Sequence, residues 1–168
     1  IMLPGWGHDV SSFWPVVDLL KENFTLWLLD LPGFGRSDPP AGGWTVENYA
    51  DEVVKFIKDN KIKRPSVLGH SFGGSVAIKL TSKYPNLVSK LILEASSGIR
   101  PKPTLLNKLF TAVAKILKLF PNLLNIKDRA RNWIYKLIGS DYLTTGNLKK
   151  TFIKIIRQDF QIYFHPCR

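Results

Sequence analysis

Six residues constrain this chain more than any others: Gly69-His70-Ser71-Phe72-Gly73-Gly74. Ahead of them, Arg64-Pro65-Ser66-Val67-Leu68 reads as a short buried strand opened by Pro65. Behind them, Ser75-Val76-Ala77-Ile78-Lys79-Leu80 reads as a helix that stops before Pro85. Ser71 therefore stands on a sharp strand-to-helix turn. In such a turn the residues two before and two after the apex nearly touch, so both must lack a side chain. Gly69 and Gly73 meet that need, and Gly74 adds room for close helix–strand packing. A hydroxyl at the apex is lifted above the sheet, where helix N–H groups face any negative charge that develops beside it. A serine there is either a nucleophile or a plain cap for the following helix. The bare Gly-x-Ser-x-Gly pattern arises by chance in about one chain of this length in twenty, so its place between strand and helix gives it its weight.

The rest of the first hundred residues alternates strand and helix. Ile1-Met2-Leu3 looks like the tail of a strand, ended by Pro4-Gly5-Trp6-Gly7. Ser11 or Ser12 is placed to cap a helix to about Glu22, with Phe13, Val16, Val17, Leu19 and Leu20 available to cover a sheet. Phe24 to Leu29 is a continuous apolar run, the pattern of a strand buried on both faces. Leu31 to Gly43 is a loop dense in Pro and Gly. Thr45 then caps a helix to about Asn60, with Tyr49, Val53, Phe56 and Ile57 at helical spacing. Val88 to Glu94 is the next strand. This alternation predicts an α/β fold, a mostly parallel sheet with helices on both faces. Ligands of such sheets bind beyond the carboxyl ends of the strands, here Pro4-Gly5-Trp6-Gly7, Asp30, Ser71 and Ala95-Ser96-Ser97.

The charge distribution divides the chain. Net charge is +11, yet residues 1–99 hold ten Lys/Arg against ten Asp/Glu. Residues 100–168 hold fourteen Lys/Arg against three acids, Asp128, Asp141 and Asp159, with the break near Gly98-Ile99-Arg100-Pro101. From Pro103 to Phe164 the pattern is helical only. The expected organisation is an α/β core over 1–99 and an all-helical lid over 100–168. With 45% hydrophobic and 22% charged residues the composition is that of a globular domain. No apolar run approaches the roughly 20 residues that span a bilayer. Cys167 is the only cysteine, which excludes an internal disulfide and favours a reducing, cytoplasmic setting.

Three motifs in order, Leu3-Pro4-Gly5-Trp6-Gly7, Asp30-Leu31-Pro32-Gly33-Phe34-Gly35-Arg36-Ser37 and Gly69-His70-Ser71-Phe72-Gly73-Gly74, resemble the α/β-hydrolase superfamily. The similarity runs from Ile1 to about Gln158. It is closest to small lid-bearing serine hydrolases such as esterases, meta-cleavage-product hydrolases and prolyl aminopeptidases. The resemblance implies Ser71 as nucleophile and an oxyanion hole from the backbone N–H groups of Trp6 and Phe72. It implies no metal or organic cofactor, and a small-molecule substrate with an apolar acyl part: an ester, an amide or a related carbon–carbon bond. Haloalkane dehalogenase and epoxide hydrolase chemistry is disfavoured, since those relatives carry a carboxylate at the position of Ser71. The family has His-Gly where Pro4-Gly5 stands, a change expected to alter shape more than chemistry.

Similar proteins continue past the lid into two strands that bear the catalytic Asp and His. The sequence therefore reads as a fragment, with that pair expected outside it. Within the chain, His8 reads as a loop residue, and His70, directly before Ser71, is expected to point away from the Ser71 hydroxyl. His165 with Asp141 or Asp159 has the right chain order but no strand ends to hold it. Asp30 and Arg36 read as a structural turn with an ion pair. The stripe Leu105, Leu106, Leu109, Phe110, Val113, Ile116, Leu117 and Phe120, flanked by Lys108, Lys115 and Lys118, fits a lid lining an apolar pocket. It also fits a helix lying on an anionic membrane surface, the less favoured alternative. Nucleic-acid binding ranks last, because interleaved exposed aromatics and a known motif are both lacking. A non-catalytic, hydrolase-like binding protein is the rival from another class.

Overall fold

The computed structural model describes residues 1–97 and 148–156. The Leu105–Phe120 stripe, Asp141, Asp159, His165 and Cys167 lie outside the described residues. Three parallel strands, β1 (Met2–Leu3), β2 (Ser66–His70) and β3 (Lys90–Glu94), form a sheet in the order β1-β2-β3. Their register aligns Met2 with Leu68 and Ile92, and Leu3 with Gly69 and Leu93. Helices α1 (Trp14–Leu20), α2 (Val46–Asp59), α3 (Phe72–Lys83) and α4 (Lys149–Ile156) accompany the sheet.

Alternation along β2 turns Val67 and Gly69 inward and leaves Leu68 and His70 half-buried. α3 crosses all three strands, and α2 packs on α3. α3 is apolar nearly all round, as a helix must be when it lies between a sheet and a second helix. α2 is amphipathic by contrast: Tyr49, Val53 and Ile57 are almost fully buried, while Phe56 sits half-exposed with its ring 5.6 Å from Trp27. The start of α2 is a capping box. Asn48 N–H donates to the Thr45 hydroxyl at 3.3 Å, and Thr45 N–H donates to the Asn48 side chain at 2.9 Å.

Two expected elements take other forms. The Phe24–Leu29 run is not a strand buried on both faces. Leu28 makes a single parallel bridge to Met2, supported by bonds from Met2 N–H to Trp27 (2.8 Å) and from Leu29 N–H to Met2 (3.2 Å). Beyond that single bridge the run forms no ladder, and Phe24 is left 62% exposed. The helix expected from Ser11 or Ser12 is instead a 3-10 turn, Val10–Phe13, capped by Asp9 and followed by seven α-helical residues. The change from three residues per turn to 3.6 breaks the apolar stripe. Phe13 is buried, Val17 and Leu20 are half-buried, and Val16 and Leu19 face outward.

α4 comes from the 100–168 half assigned to the lid, and it packs into the same core as α2 and α3. Its fully buried Thr151 hydroxyl accepts the Trp44 N–H at 3.0 Å, and Lys154 Nζ donates to the Gly43 carbonyl at 2.5 Å. Leu148, just before it, is also buried. Among the described residues no helix is long and apolar enough to cross a membrane.

A charged network ties α2 to α3. Lys83 Nζ lies 2.8 Å from Glu47 and 2.9 Å from Asp51, and the Tyr84 hydroxyl donates to Asp51 at 2.9 Å. Hydrogen bonds donated to Glu47 and then to Asp51 raise the Lys83 pKa above its ordinary 10.5. The bond from Lys83 lowers Glu47 below 4.5. Burial pushes Asp51 up, but the bonds from Lys83 and Tyr84 outweigh it and leave Asp51 below 3.8. The carboxylates thus add stability above those ordinary values and lose it as pH falls through their lowered ones. Lys83 adds stability below 10.5 and loses it as pH rises through its raised value. Lys83→Met should therefore lower the melting temperature at pH 7, with the gap to the unmodified protein closing in acid as Glu47 and Asp51 become protonated. A gap that persists there in thermal melts would mean that Lys83 acts through packing instead. Thr45→Ala should cost about 1 kcal/mol in denaturant unfolding, by removing the cap of α2.

Candidate active site

The sharp turn expected at Ser71 is present. Ser71 has φ 47° and ψ −113°, a left-handed conformation that costs a non-glycine residue about 1–3 kcal/mol. Such strain persists only where the surroundings over-determine it. Here both sides of the residue are tied. Ser71 N–H donates to the Glu94 carbonyl at 3.1 Å, and the Ser71 carbonyl accepts from Gly74, Ser75 and Ser97 N–H at 3.0, 3.4 and 3.0 Å. The Ser71 side chain makes no capping hydrogen bond to α3, so the plain-cap reading fails. A capping serine would also sit in the extended region of backbone space.

The glycines allow three segments to cross at van der Waals range. A Cβ on Gly69 would lie 2.5 Å from the Gly73 carbonyl oxygen. A Cβ on Gly73 would overlap the Leu3 carbonyl and stand 2.6 Å from that of Pro4. The first turn of α3 is thereby pressed against both β2 and the end of β1. The space beside Gly74 is filled by the side chain of Ser96, from the loop after β3.

This crossing places the Pro4–Gly7 turn beside the serine: a Cβ on Gly5 would stand 3.3 Å from that of Ser71. Trp6, Ser71 and Phe72 come together in space, with the Trp6 and Phe72 rings edge to face at 5.4 Å. Around Trp6 the rings of Phe34 (4.9 Å) and Phe152 of α4 (5.1 Å) complete an aromatic cluster. Tyr49 meets Phe72 edge-on at 5.0 Å and donates its hydroxyl to the Pro32 carbonyl at 3.0 Å. Burial pushes its phenol well above the ordinary range, so it stays a neutral donor. Neither Trp6 N–H nor Phe72 N–H donates to an acceptor among the described residues.

His70 is engaged elsewhere than the Ser71 hydroxyl. Its Nε2 lies 3.3 Å from a Glu94 carboxylate oxygen, and its ring covers Gly5. His8 is an exposed loop residue whose ring centre is 6.3 Å from that of His70. The turn at Asp30 is structural, but the ion pair with Arg36 gives way to backbone contacts. The Asp30 carboxylate accepts from Val10 N–H at 2.8 Å and Arg36 N–H at 3.0 Å. Two fixed main-chain donors hold a carboxylate without ordering a long, hydrated guanidinium. Among the described residues no three of His, Cys, Asp and Glu stand together as metal ligands would.

Glu94 and Ser75 were not singled out from the sequence, and Ser97 only as part of the strand-end loop Ala95-Ser96-Ser97. Ser75 carried a signal: it is a lone hydroxyl in the apolar run Val76-Ala77-Ile78, on a helix with no exposed face to spare.

A family model described as alpha/beta hydrolase fold matches residues 1–131. The chain belongs to that family. Among α/β-hydrolase relatives, the pimeloyl-(acyl-carrier protein) methyl ester esterase of Citrobacter koseri is 37% identical over 97 residues, 58% of this chain and 36% of that one. An esterase from Exiguobacterium antarcticum, 21% identical, shares the fold with a TM-score of 0.64 over 96% of this chain and 66% of its own. A bacterial membrane phospholipase A, 29% identical, aligns at a TM-score of 0.59 over 61% of this chain and 34% of that one. The chain spans between 26% and 40% of the length of the curated relatives it matches.

Because the neighbour of Gly73 is main chain and cannot swing aside, Gly73→Ala should destabilise this α/β-hydrolase core by about 2–4 kcal/mol. The unfolding midpoint in urea measures it; a shift worth under about 0.5 kcal/mol would contradict the close crossing.

Proposed function

We propose that Ser71 is the nucleophile of a hydrolase acting on a small ester, amide or related carbon–carbon bond with an apolar acyl part. One observation carries the reading: a serine, not a glycine, occupies the strained left-handed position, with its hydroxyl unused by the helix behind it. A structural turn gains nothing from a serine there, whereas a nucleophile gains exposure and proximity to the helix N-terminus. Ser71 Oγ attacks the substrate carbonyl, the C=O π bond opens to an oxyanion, and the hydroxyl proton passes to a base. That base is a histidine oriented by an aspartate, expected on strands that follow the lid in similar proteins.

The oxyanion is assigned to the N–H groups of Trp6 and Phe72. Their freedom from acceptors among the described residues supports this, as does the closeness of Gly5 to Ser71. Each such donor is worth about 10²–10³ in rate, because it meets charge that exists only in the transition state. The Trp6, Phe34 and Phe152 rings support an apolar surround for the acyl group.

In a form that includes the downstream Asp and His, a fluorophosphonate probe should label the protein, and Ser71→Ala should abolish the label. Labelling that survives Ser71→Ala would assign the chemistry to another residue. No labelling of any form would favour a binding protein on a hydrolase scaffold.

A further inference from the structure

We infer that Ser75 and Ser97 are positioning residues for Ser71: their hydroxyl contact closes a clamp that holds the loop after β3 on the first turn of α3 and fixes the left-handed Ser71. The catalytic part of this inference rests on the reading of Ser71 as nucleophile. The clamp itself rests on the following contacts.

Ser75 is 1% exposed, and its Oγ donates to the Ser97 carbonyl at 2.7 Å while standing 2.8 Å from the Ser97 hydroxyl. One hydroxyl donates once and accepts twice, so Ser97 Oγ–H is the donor of the second bond. Ser97 N–H in turn donates to the Ser71 carbonyl at 3.0 Å. Ser97 is thus held through its N–H, its carbonyl and its hydroxyl, all on α3 or the turn that starts it. The last residue of β3 and the first of the loop matter as well. Glu94 accepts the Ser71 N–H, and Ala95 is itself left-handed at φ 43°. Ala95 thus lies between Glu94 and Ser97, two residues that hydrogen-bond the strained Ser71. Neither conformation is favourable alone, and each is held by the same loop–helix contact.

Ser75 touches no reacting atom. Its effect passes through Ser97 to the Ser71 carbonyl, and so to the direction in which the Ser71 side chain leaves the turn. Ser97 is exposed, so water can satisfy its groups when the Ser75 hydroxyl is removed. Loss of the clamp should then disturb Ser71 more than it disturbs the fold.

The test compares Ser75→Ala and Ser97→Ala with Ser66→Ala, which breaks an exposed hydroxyl pair with Ser89 at the start of β2. Two quantities are read: amide hydrogen exchange at Ser71 and Ser97, and the rate of fluorophosphonate modification per folded molecule. Ser75→Ala should speed exchange at Ser97 about tenfold and slow labelling about tenfold, the worth of one lost hydrogen bond. Ser97→Ala should do so about threefold, and Ser66→Ala should do neither. Unchanged Ser97 exchange in Ser75→Ala overturns the clamp; if that variant fails to fold, unchanged exchange in Ser97→Ala does so. Faster exchange with unchanged labelling overturns the positioning role. If the form carrying strands that bear an Asp and a His, as in similar proteins, never labels, the nucleophile reading falls, and exchange still decides the clamp.

Discussion

Everything near Ser71 depends on a contact between backbones. Gly69 of β2, Gly73 of α3 and the carbonyl of Leu3 in β1 occupy space in which no Cβ fits. Main chain lying on main chain gives the turn a stiffness that side chains with free torsions do not supply. The crossing also determines what lies nearby, because the residues leaving β1 must then pass directly beside the apex of the turn. The Pro4–Gly7 loop stands next to Ser71 for that reason.

The strain at Ser71 is local, whereas its support comes from several places. The end of β3 accepts its N–H, and the loop after β3 donates to its carbonyl. α3 is held in turn by α2, through the buried face of Tyr49, Val53 and Ile57 and through Lys83 on Glu47 and Asp51. α4 reaches the same cluster from the far end of the chain, where Phe152 meets Trp6. An energetically unfavourable conformation is thus surrounded by ordinary favourable packing. That is the arrangement expected where function, not stability, selects the residue at the apex.

Membership of the α/β-hydrolase fold family and the geometry of the turn agree, though they rest on different facts. The family assignment comes from a family model that matches residues 1–131. The geometry comes from a backbone conformation and a short list of contacts. The agreement concerns the scaffold; substrate choice lies with pocket walls, which vary freely on one scaffold.

The elbow was legible in the residues because its requirements are local: two glycines at fixed offsets, an apolar run before them and a helical run after. The same holds for the Thr45–Asn48 cap and the Tyr49, Val53, Ile57 stripe, which depend on neighbours three or four residues away. Hydrophobicity misled at Phe24–Leu29, because an apolar run states that burial is favourable and not which segment provides it. Charge misled at Asp30 and Arg36, where the folded chain offered main-chain donors instead of the guanidinium. The Ser75–Ser97 contact and the approach of Gly5 to Ser71 join residues 22 and 66 positions apart, respectively. Contacts at such separations follow from strand order and register, which come into being when distant segments pack and which no local spacing encodes.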